Sequence, residues 1–210
     1  MVFSTLFCFA DLANLNAQPN IHSLTFKFTF DGKEIETGKS VYWKEIGDSI
    51  RFDNLKFYFS NMYFSKNGKS VDSLQKKFHL YDSGDSSTSI CIFKSLDYKE
   101  TDSLHLTLGI DSITNVSGAM GGDLDPVYGM YWAWQSGYIN FKIEGSSPVC
   151  NTRKNIFQFH VGGYSFPYAS AQKISFVRSF NHSATLTIPL DELLKKIHIN
   201  TTNNVMSPGK

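Results

Sequence analysis

The sequence has almost no net charge. Its 20 Lys and Arg residues stand against 19 Asp and Glu residues, which leaves +1 over 210 residues. A domain that binds nucleic acid usually carries a basic patch, so we expect no nucleic-acid partner. No apolar run reaches the ~20 residues that a membrane-spanning helix requires. We therefore also expect no transmembrane segment.

Familiar catalytic motifs are absent as well. The sequence contains no Gly-x-Ser-x-Gly elbow, no His-Glu-x-x-His pair and no phosphate-binding P-loop. No pair of carboxylates stands out on matched strands. There is also no internal repeat, low-complexity segment or linker, and the length suits one domain. We predict a single domain that is not an enzyme.

Aromatic residues, by contrast, are abundant, with 18 Phe and 10 Tyr. Apolar and polar residues alternate in Leu24–Phe30, and the turn signal Asp31–Gly32 follows. The same alternation recurs in Leu104–Ile110 and Tyr138–Glu144, which is typical of strands with one buried face. Only Leu190–Ile197 has helical spacing. The pattern predicts an all-β protein, a two-layer antiparallel β-sandwich with one short C-terminal helix.

The N-terminus favours export. A short apolar run, Val2–Ala10, is followed by small residues before a cleavage point near Ala17 or Gln18. This pattern predicts a signal peptide over residues 1–18, although Asp11 interrupts it and no basic residue precedes the run. Residues 22–210 then form the single β-sandwich domain, in the periplasm or at the outer membrane or cell surface.

Two of the three cysteines would remain after cleavage. Cys8 lies in the predicted signal peptide, which leaves Cys91 and Cys150. An even pair in an exported chain favours a disulfide. The cross-link would contribute roughly 3–4 kcal/mol by limiting the unfolded chain. The alternative is a pair of thiolate ligands for copper.

The stretch Asp123–Glu144 is the most distinctive part of the sequence. It begins as an acidic loop, passes through Trp132 and Trp134, and ends as an alternating strand. Two tryptophans separated by one residue share a face of an extended chain. They form either part of the core or a rigid aromatic surface that binds a partner.

Three strings carry a resemblance to a known family. They are Gly118–Pro126 (GAMGGDLDP), Gly129–Tyr138 (GMYWAWQSGY) and Phe157–Gly163 (FQFHVGG). In these strings the chain resembles the MbnP-like family, periplasmic or outer-membrane copper-binding proteins named for a methanobactin operon. The resemblance spans about residues 24–208 and implies copper as cofactor. Relatives continue past the Met-Ser-Pro motif, so we expect a C-terminal truncation here.

The resemblance implies that His160 is a metal ligand. In its strand, Phe157 and Phe159 share one face and His160 lies on the other, beside two glycines. Neutral imidazole is a good copper ligand. The alternative is a hydrogen-bonded or solvated surface histidine.

The other histidines of the family pattern are missing, and Ser60 occupies one of their positions. A stable copper site requires about three or four donors. His79 and His105 are the substitutes that the sequence offers, and we expect both side chains to point away from the apolar face of their strands. The alternative for His105 is a solvated surface position.

The family resemblance also implies a chemical modification of one of the two tryptophans. The resemblance implies that a dihaem partner enzyme of the cytochrome c peroxidase type oxidises Trp132 or Trp134 to kynurenine. Kynurenine has a carbonyl and an aromatic amine that could both bind a metal. Such a product would supply a donor that the sequence does not show.

A glycine-rich loop gathers four oxygen-bearing side chains, Asp111, Asn115, Asp123 and Asp125. Oxygen donors on such a loop suit Ca²⁺. The spacing differs from the EF-hand pattern. The alternative is a turn-forming loop in which these side chains cap backbone N–H groups.

These observations lead to two functional hypotheses. The first is an exported copper-binding protein of the MbnP-like type. The second is a periplasmic or cell-surface binding module that recognises a protein or a glycan through its tryptophan-rich surface.

Overall fold

The computed structural model describes residues 22–73, 76–93, 101–180 and 183–206. The predicted signal peptide, residues 1–18, lies outside the described residues, as do the last four residues of the chain. None of the described helices is long and apolar enough to span a membrane.

The described part of the chain contains fourteen strands and two short α-helices. The strands are β1 His22–Phe30, β2 Lys33–Glu34, β3 Ser40–Trp43, β4 Asp48–Lys66, β5 Lys69–Ser73, β6 Phe78–Asp82, β7 Ile90–Phe93, β8 Thr101–Leu108, β9 Tyr131–Trp132, β10 Gly137–Ser146, β11 Ile156–Gly162, β12 Gln172–Phe180, β13 Ser183–Pro189 and β14 Asn204–Val205; the helices are α1 Ser112–Val116 and α2 Leu190–Leu194.

The strands form two sheets. In the small sheet, β1 lies beside β13 and pairs on its other side with β2 and β7. The large sheet runs β12-β8-β4-β10-β11-β14, and the long strand β4 also pairs with β3, β5 and β6. The hairpin predicted at Asp31–Gly32 forms, with Phe30 opposite Lys33.

The hydrophobic core lies between the two sheets. Leu24, Phe26, Phe28 and Phe30 of β1 are all at most 2% exposed, as their alternation predicts. The Phe26 ring stacks on Phe59 of β4 with centroids 4.1 Å apart. We call this region the inner core. It confirms the prediction of an all-β sandwich with a short helix near the C-terminus.

Two details of that prediction need correction. The sandwich is not wholly antiparallel, because β1 pairs with β13 in parallel and β11 pairs with β14 in parallel. Each pair is far apart in sequence, and long connections permit parallel pairing. The helix is shorter than the helical spacing indicated and ends at Leu194.

The bulges in β4 determine which side chains face outward. Phe57 and Phe59 point into the inner core, so Tyr58 and Ser60 point to the opposite, outer face of the large sheet. Asn61 has a positive φ of 49°, and the pairing of β4 with β8 shifts there. After this bulge, Met62 and Phe64 return to the inner core.

Candidate functional site

A second hydrophobic cluster covers part of the outer face of the large sheet. We call it the outer cluster; its buried members are Tyr58, Leu80, Ile110, Leu124, Met130, Trp132, Tyr138 and Ile139. Several of them belong to residues 111–136, a segment with little regular structure that we call the covering loop. This cluster places the distinctive Asp123–Glu144 stretch against the sheet.

Side chains from the sheet hold the covering loop in place. The Tyr58 hydroxyl donates to the Asp123 carbonyl at 3.0 Å, and Lys142 Nζ donates to the Gly129 carbonyl at 2.7 Å. The Tyr138 hydroxyl accepts from the Met120 N–H at 2.9 Å. Burial raises the pKa of both tyrosines, so their hydroxyls stay protonated at neutral pH.

His160 lies on this outer face, as its strand alternation predicted. The side chain is buried, and its Nε2 lies 2.6 Å from Glu144 Oε1. Among the described residues no hydrogen bond engages Nδ1. Strand register explains the pair, because His160 lies opposite Lys142 and therefore diagonal to Glu144 on the neighbouring strand.

Glu144 is the centre of this polar group. Its other carboxylate oxygen accepts from Asn54 Nδ2 at 2.8 Å. The hydrogen bond from His160, supported by the one from Asn54, lowers the pKa of Glu144 to about 2. A carboxylate that is ionised at all ordinary pH values therefore faces the imidazole.

Trp132 lies on the same face as His160. A Cβ built on Gly162 would meet Trp132 Cζ3 at 2.7 Å, so the indole packs directly over that glycine. Gly162 is two residues after His160 in β11, and residues two apart share a face of a strand. The imidazole and the buried indole are thus neighbours on one surface.

The two tryptophans are divided between the two alternatives, since Trp132 is buried and Trp134 is exposed. β9 ends at Trp132, and residues 133–136 turn back into β10, so the chain is not extended through Trp134. Trp132 is 8% exposed and Trp134 is 69% exposed. Their ring planes meet at 40°, with centroids 5.6 Å apart. Trp132 is part of the outer cluster, and Trp134 projects from the turn.

The structure places His79 in the inner core. It is buried, its ring stacks on Phe26, and its Nε2 is 2.7 Å from the Thr88 carbonyl. The expectation that it faces away from the apolar side is wrong, because both faces of β6 are apolar: Leu80 belongs to the outer cluster. Burial lowers the pKa of His79, which favours the neutral ring.

His105 is also remote from His160 in the strand order, because β8 and β11 are separated by β4 and β10. Its two ring nitrogens lie 3.0 Å from Ser65 Oγ and 2.8 Å from Ser175 Oγ, and its ring stacks on Tyr63. The three histidines proposed as ligands therefore lie apart. Across the described ranges, no group of three His, Cys, Asp or Glu residues is arranged to hold a metal ion.

The oxygen-bearing side chains of the proposed calcium loop have structural partners. Asp111 caps α1 through the Thr114 N–H, and Asp125 accepts from the Val127 N–H. Asp123 forms an ion pair with Lys76 at 2.9 Å. Asn115 is buried, and its Oδ1 accepts from the Tyr138 N–H at 2.7 Å. This geometry matches the capping alternative.

The predicted disulfide is wrong, because Cys91 and Cys150 are both free and buried. Cys91 lies on β7 opposite Leu24 of β1, whereas Cys150 lies in a turn after β10 and its N–H donates to the Ser147 carbonyl. Both thiols contribute to the inner core. Burial raises the pKa of each thiol, which makes it a poor nucleophile and a poor metal ligand.

Sequence reasoning missed Glu144 and Asn54 as functional candidates. In the sequence, Glu144 is placed at the end of an alternating strand and Asn54 is not singled out, and the contact between the two spans 90 residues. A signal was available in the alternation of β10, which placed Glu144 on the polar face. Only the pairing register identifies His160 as its partner.

Comparisons with known proteins agree with this fold. The MbnP family model matches residues 19–207. Among solved structures, MbnP from Methylosinus trichosporium has a similar fold, with a TM-score of 0.59 and 14% sequence identity, over 80% of this chain and 75% of that chain. A search of curated proteins found no match.

Proposed function

Because the chain belongs to the MbnP family, we propose that it is an exported copper-binding protein without catalytic activity of its own. The observation that carries the proposal is the buried pair of His160 and Glu144 beside Trp132. The family match supports export to the periplasm or the outer surface, and the N-terminal pattern agrees with it.

The His160–Glu144 pair has the chemistry of an oriented metal ligand. A histidine that binds a metal usually donates its second ring N–H to a carboxylate, which fixes the tautomer and the ring. Here Glu144 holds Nε2, which leaves Nδ1 as the donor for copper. Imidazole nitrogen suits both oxidation states of copper that proteins bind.

Trp132 is the proposed source of a further donor. It lies on the face of His160, and the family resemblance implies its oxidation to kynurenine by a dihaem peroxidase-type cytochrome. The reaction requires the oxidant and haem groups of that partner. The carbonyl and aromatic amine of the product would complete a site that one imidazole cannot hold alone. His79 is left out of this set because it lies in the inner core against Phe26, and His105 because hydrogen bonds engage both of its ring nitrogens.

Equilibrium dialysis against copper tests the proposal. The mature protein, isolated from its own cell envelope, should retain about one copper per chain, and His160→Ala should abolish most of that retention. Glu144→Gln should weaken copper binding by roughly 10–100-fold, the usual loss when the partner of a ligating histidine is removed. His105→Ala is the matched control and should bind as the wild type does.

Intact mass and peptide mapping provide the second test. Protein isolated from its own cells should carry the mass change of kynurenine at Trp132, and protein made without the dihaem partner should not. Copper retention that is unchanged by His160→Ala, or absent from the natural protein, would contradict the proposal.

A further inference from the structure

A small pocket opens beside Trp132, on the side of the β9–β10 hairpin. Its volume is about 180 Å³, and its walls include the aromatic rings of Trp132, Tyr164 and Tyr168. Gln135 and Ser165 contribute the polar side chains, and the backbone of two glycines completes the lining. His160 and Glu144 do not line it, so of the residues in the proposed copper site it shares only Trp132.

Packing against glycine holds two of the aromatic walls in place. Trp132 lies over Gly162, as described above. A Cβ built on Gly137 would lie 3.1 Å from Tyr164 Cε1, so this ring is also packed against backbone. Tyr168 is half exposed and stands at the rim. The pocket is therefore a preformed feature with one wall open to solvent.

The polar chemistry of the pocket indicates what would bind. Gln135 Oε1 is buried and has no hydrogen-bond partner. Buried acceptors are nearly always paired, and Gln135 lines the pocket, so a small movement of its amide would let Oε1 accept a hydrogen bond from a ligand there. None of the lining side chains is charged. A charged ligand would lose its hydration there without a counter-charge, so the ligand is neutral.

The size and shape of the pocket narrow the class of ligand further. Pockets for drug-sized ligands are about 300–1,000 Å³, so this smaller one admits a single ring. Aromatic walls favour a ligand with an apolar face, and the unpaired acceptor favours a ligand with an O–H or N–H donor at its edge. A sugar ring combines a face of C–H groups with hydroxyls at its edge. We propose that this pocket binds one neutral pyranose unit, and that the exposed Trp134 beside Trp132 extends the surface for a second unit.

The test is a titration of metal-free protein with neutral sugars. The probes are glucose, galactose, N-acetylglucosamine, cellobiose and chitobiose. Saturation-transfer NMR and calorimetry measure their binding. At least one sugar should bind saturably with a Kd of about 1 mM, with the disaccharide tighter than its monosaccharide. A phenol and a proline-rich peptide serve as competitors of other chemistry.

Variants assign the binding to the pocket. Tyr168→Ala removes the rim ring, and Gln135→Met removes the acceptor at similar size; each should weaken binding by roughly tenfold or more. Tyr42→Ala, which removes an exposed ring on β3, is the matched control and should leave binding unchanged. Far-UV circular dichroism checks that each variant folds. If Gln135→Met does not fold, Tyr168→Ala alone decides whether the sugar binds in the pocket.

Three results would overturn the assignment. These are no saturable binding by any sugar, sugar binding that Tyr168→Ala leaves intact, and preferred binding of the phenol or the peptide. Because the titration uses metal-free protein made without the dihaem partner, Trp132 keeps its indole and the outcome does not depend on copper binding.

Discussion

The inner core and the outer cluster lie on opposite faces of the same large sheet, but they are covered in different ways. The inner core is closed by the regular strands of a second sheet, with rings stacked such as Phe26 on Phe59. The outer cluster is closed by the covering loop, which the hydroxyl of Tyr58 and the ammonium of Lys142 hold through backbone carbonyls. One face depends on buried area and the other on a few polar attachments.

This difference explains where the proposed site lies. A face sealed by a second sheet leaves no room for polar groups, and the histidine there, His79, is buried and bonded to backbone. A face sealed by a loop has an edge, and His160 and Glu144 lie at that edge.

The largest expected effect separates the two faces at neighbouring positions of β4. Phe59→Ala removes a fully buried ring from the inner core and should lower the free energy of unfolding by about 3–5 kcal/mol. Tyr58→Phe keeps the ring in the outer cluster and removes only its hydrogen bond to the Asp123 carbonyl, a loss of about 0.5–1.5 kcal/mol. Urea unfolding measures the loss of unfolding free energy in both variants. Equal losses would contradict the contrast between the inner core and the outer cluster.

The next effect concerns acid stability at the edge of the outer cluster. The folded-state pKa of Glu144 is about 2, below its ordinary value of 4.5. A depressed carboxyl pKa stabilises the folded protein above the unfolded-state pKa, and the contribution is lost as pH falls toward the folded-state value. At about 1.36 kcal/mol for each unit of pKa, this lowering corresponds to at most about 3–4 kcal/mol at neutral pH, and the partial solvent exposure of Glu144 reduces it to about 2–3 kcal/mol.

Glu144→Gln isolates this contribution. The difference in unfolding free energy between wild type and variant should shrink as the pH falls from about 5 to about 3. Asp53→Asn, which alters a carboxylate in an exposed ion pair with Arg51, is the matched control. A difference that stays constant with pH would show that the His160 contact does not lower the pKa of Glu144.

Sequence reasoning was successful where one strand face is buried and one is not. Alternation located β1 and the outward position of His160 because each strand there has a clear apolar face. It misplaced His79 because both faces of β6 are covered, one by the inner core and one by the outer cluster. Alternation cannot choose between two apolar faces.

The remaining errors arise from one local turn and from long-range geometry. The turn over residues 133–136 separates Trp132 from Trp134, and no period in the sequence marks it. The bond between Glu144 and His160 depends on register between two strands. The two cysteines had the right number for a disulfide, but their positions in the fold are set by different elements.

A smaller effect tests how tightly the outer cluster is packed. Gly162→Ala would place a Cβ 2.6 Å from the Tyr138 carbonyl and 2.7 Å from Trp132. The backbone oxygen cannot move aside easily, so the substitution should destabilise the protein by about 1–3 kcal/mol and shift the emission of Trp132. Gly121→Ala is the control, since no atom lies within 4 Å of its Cβ and it lacks the positive φ of its neighbour Gly122. Similar losses for the two variants would mean that Trp132 does not rest on Gly162.

The smallest expected effect concerns the inner core, which the structure holds without a covalent cross-link. A disulfide between Cys91 and Cys150 would contribute about 3–4 kcal/mol, so its reduction would visibly lower the urea midpoint. Because both thiols are free and buried, dithiothreitol should leave the midpoint unchanged, and both should react with a thiol reagent only after unfolding. Two outcomes would show that the disulfide forms after all. They are a non-reducing digest in which the Cys91 and Cys150 peptides are linked, and a urea midpoint that falls when reductant is added. In that case the inner core would depend on a covalent link as well as on buried area, and the contrast with the outer cluster would be weaker.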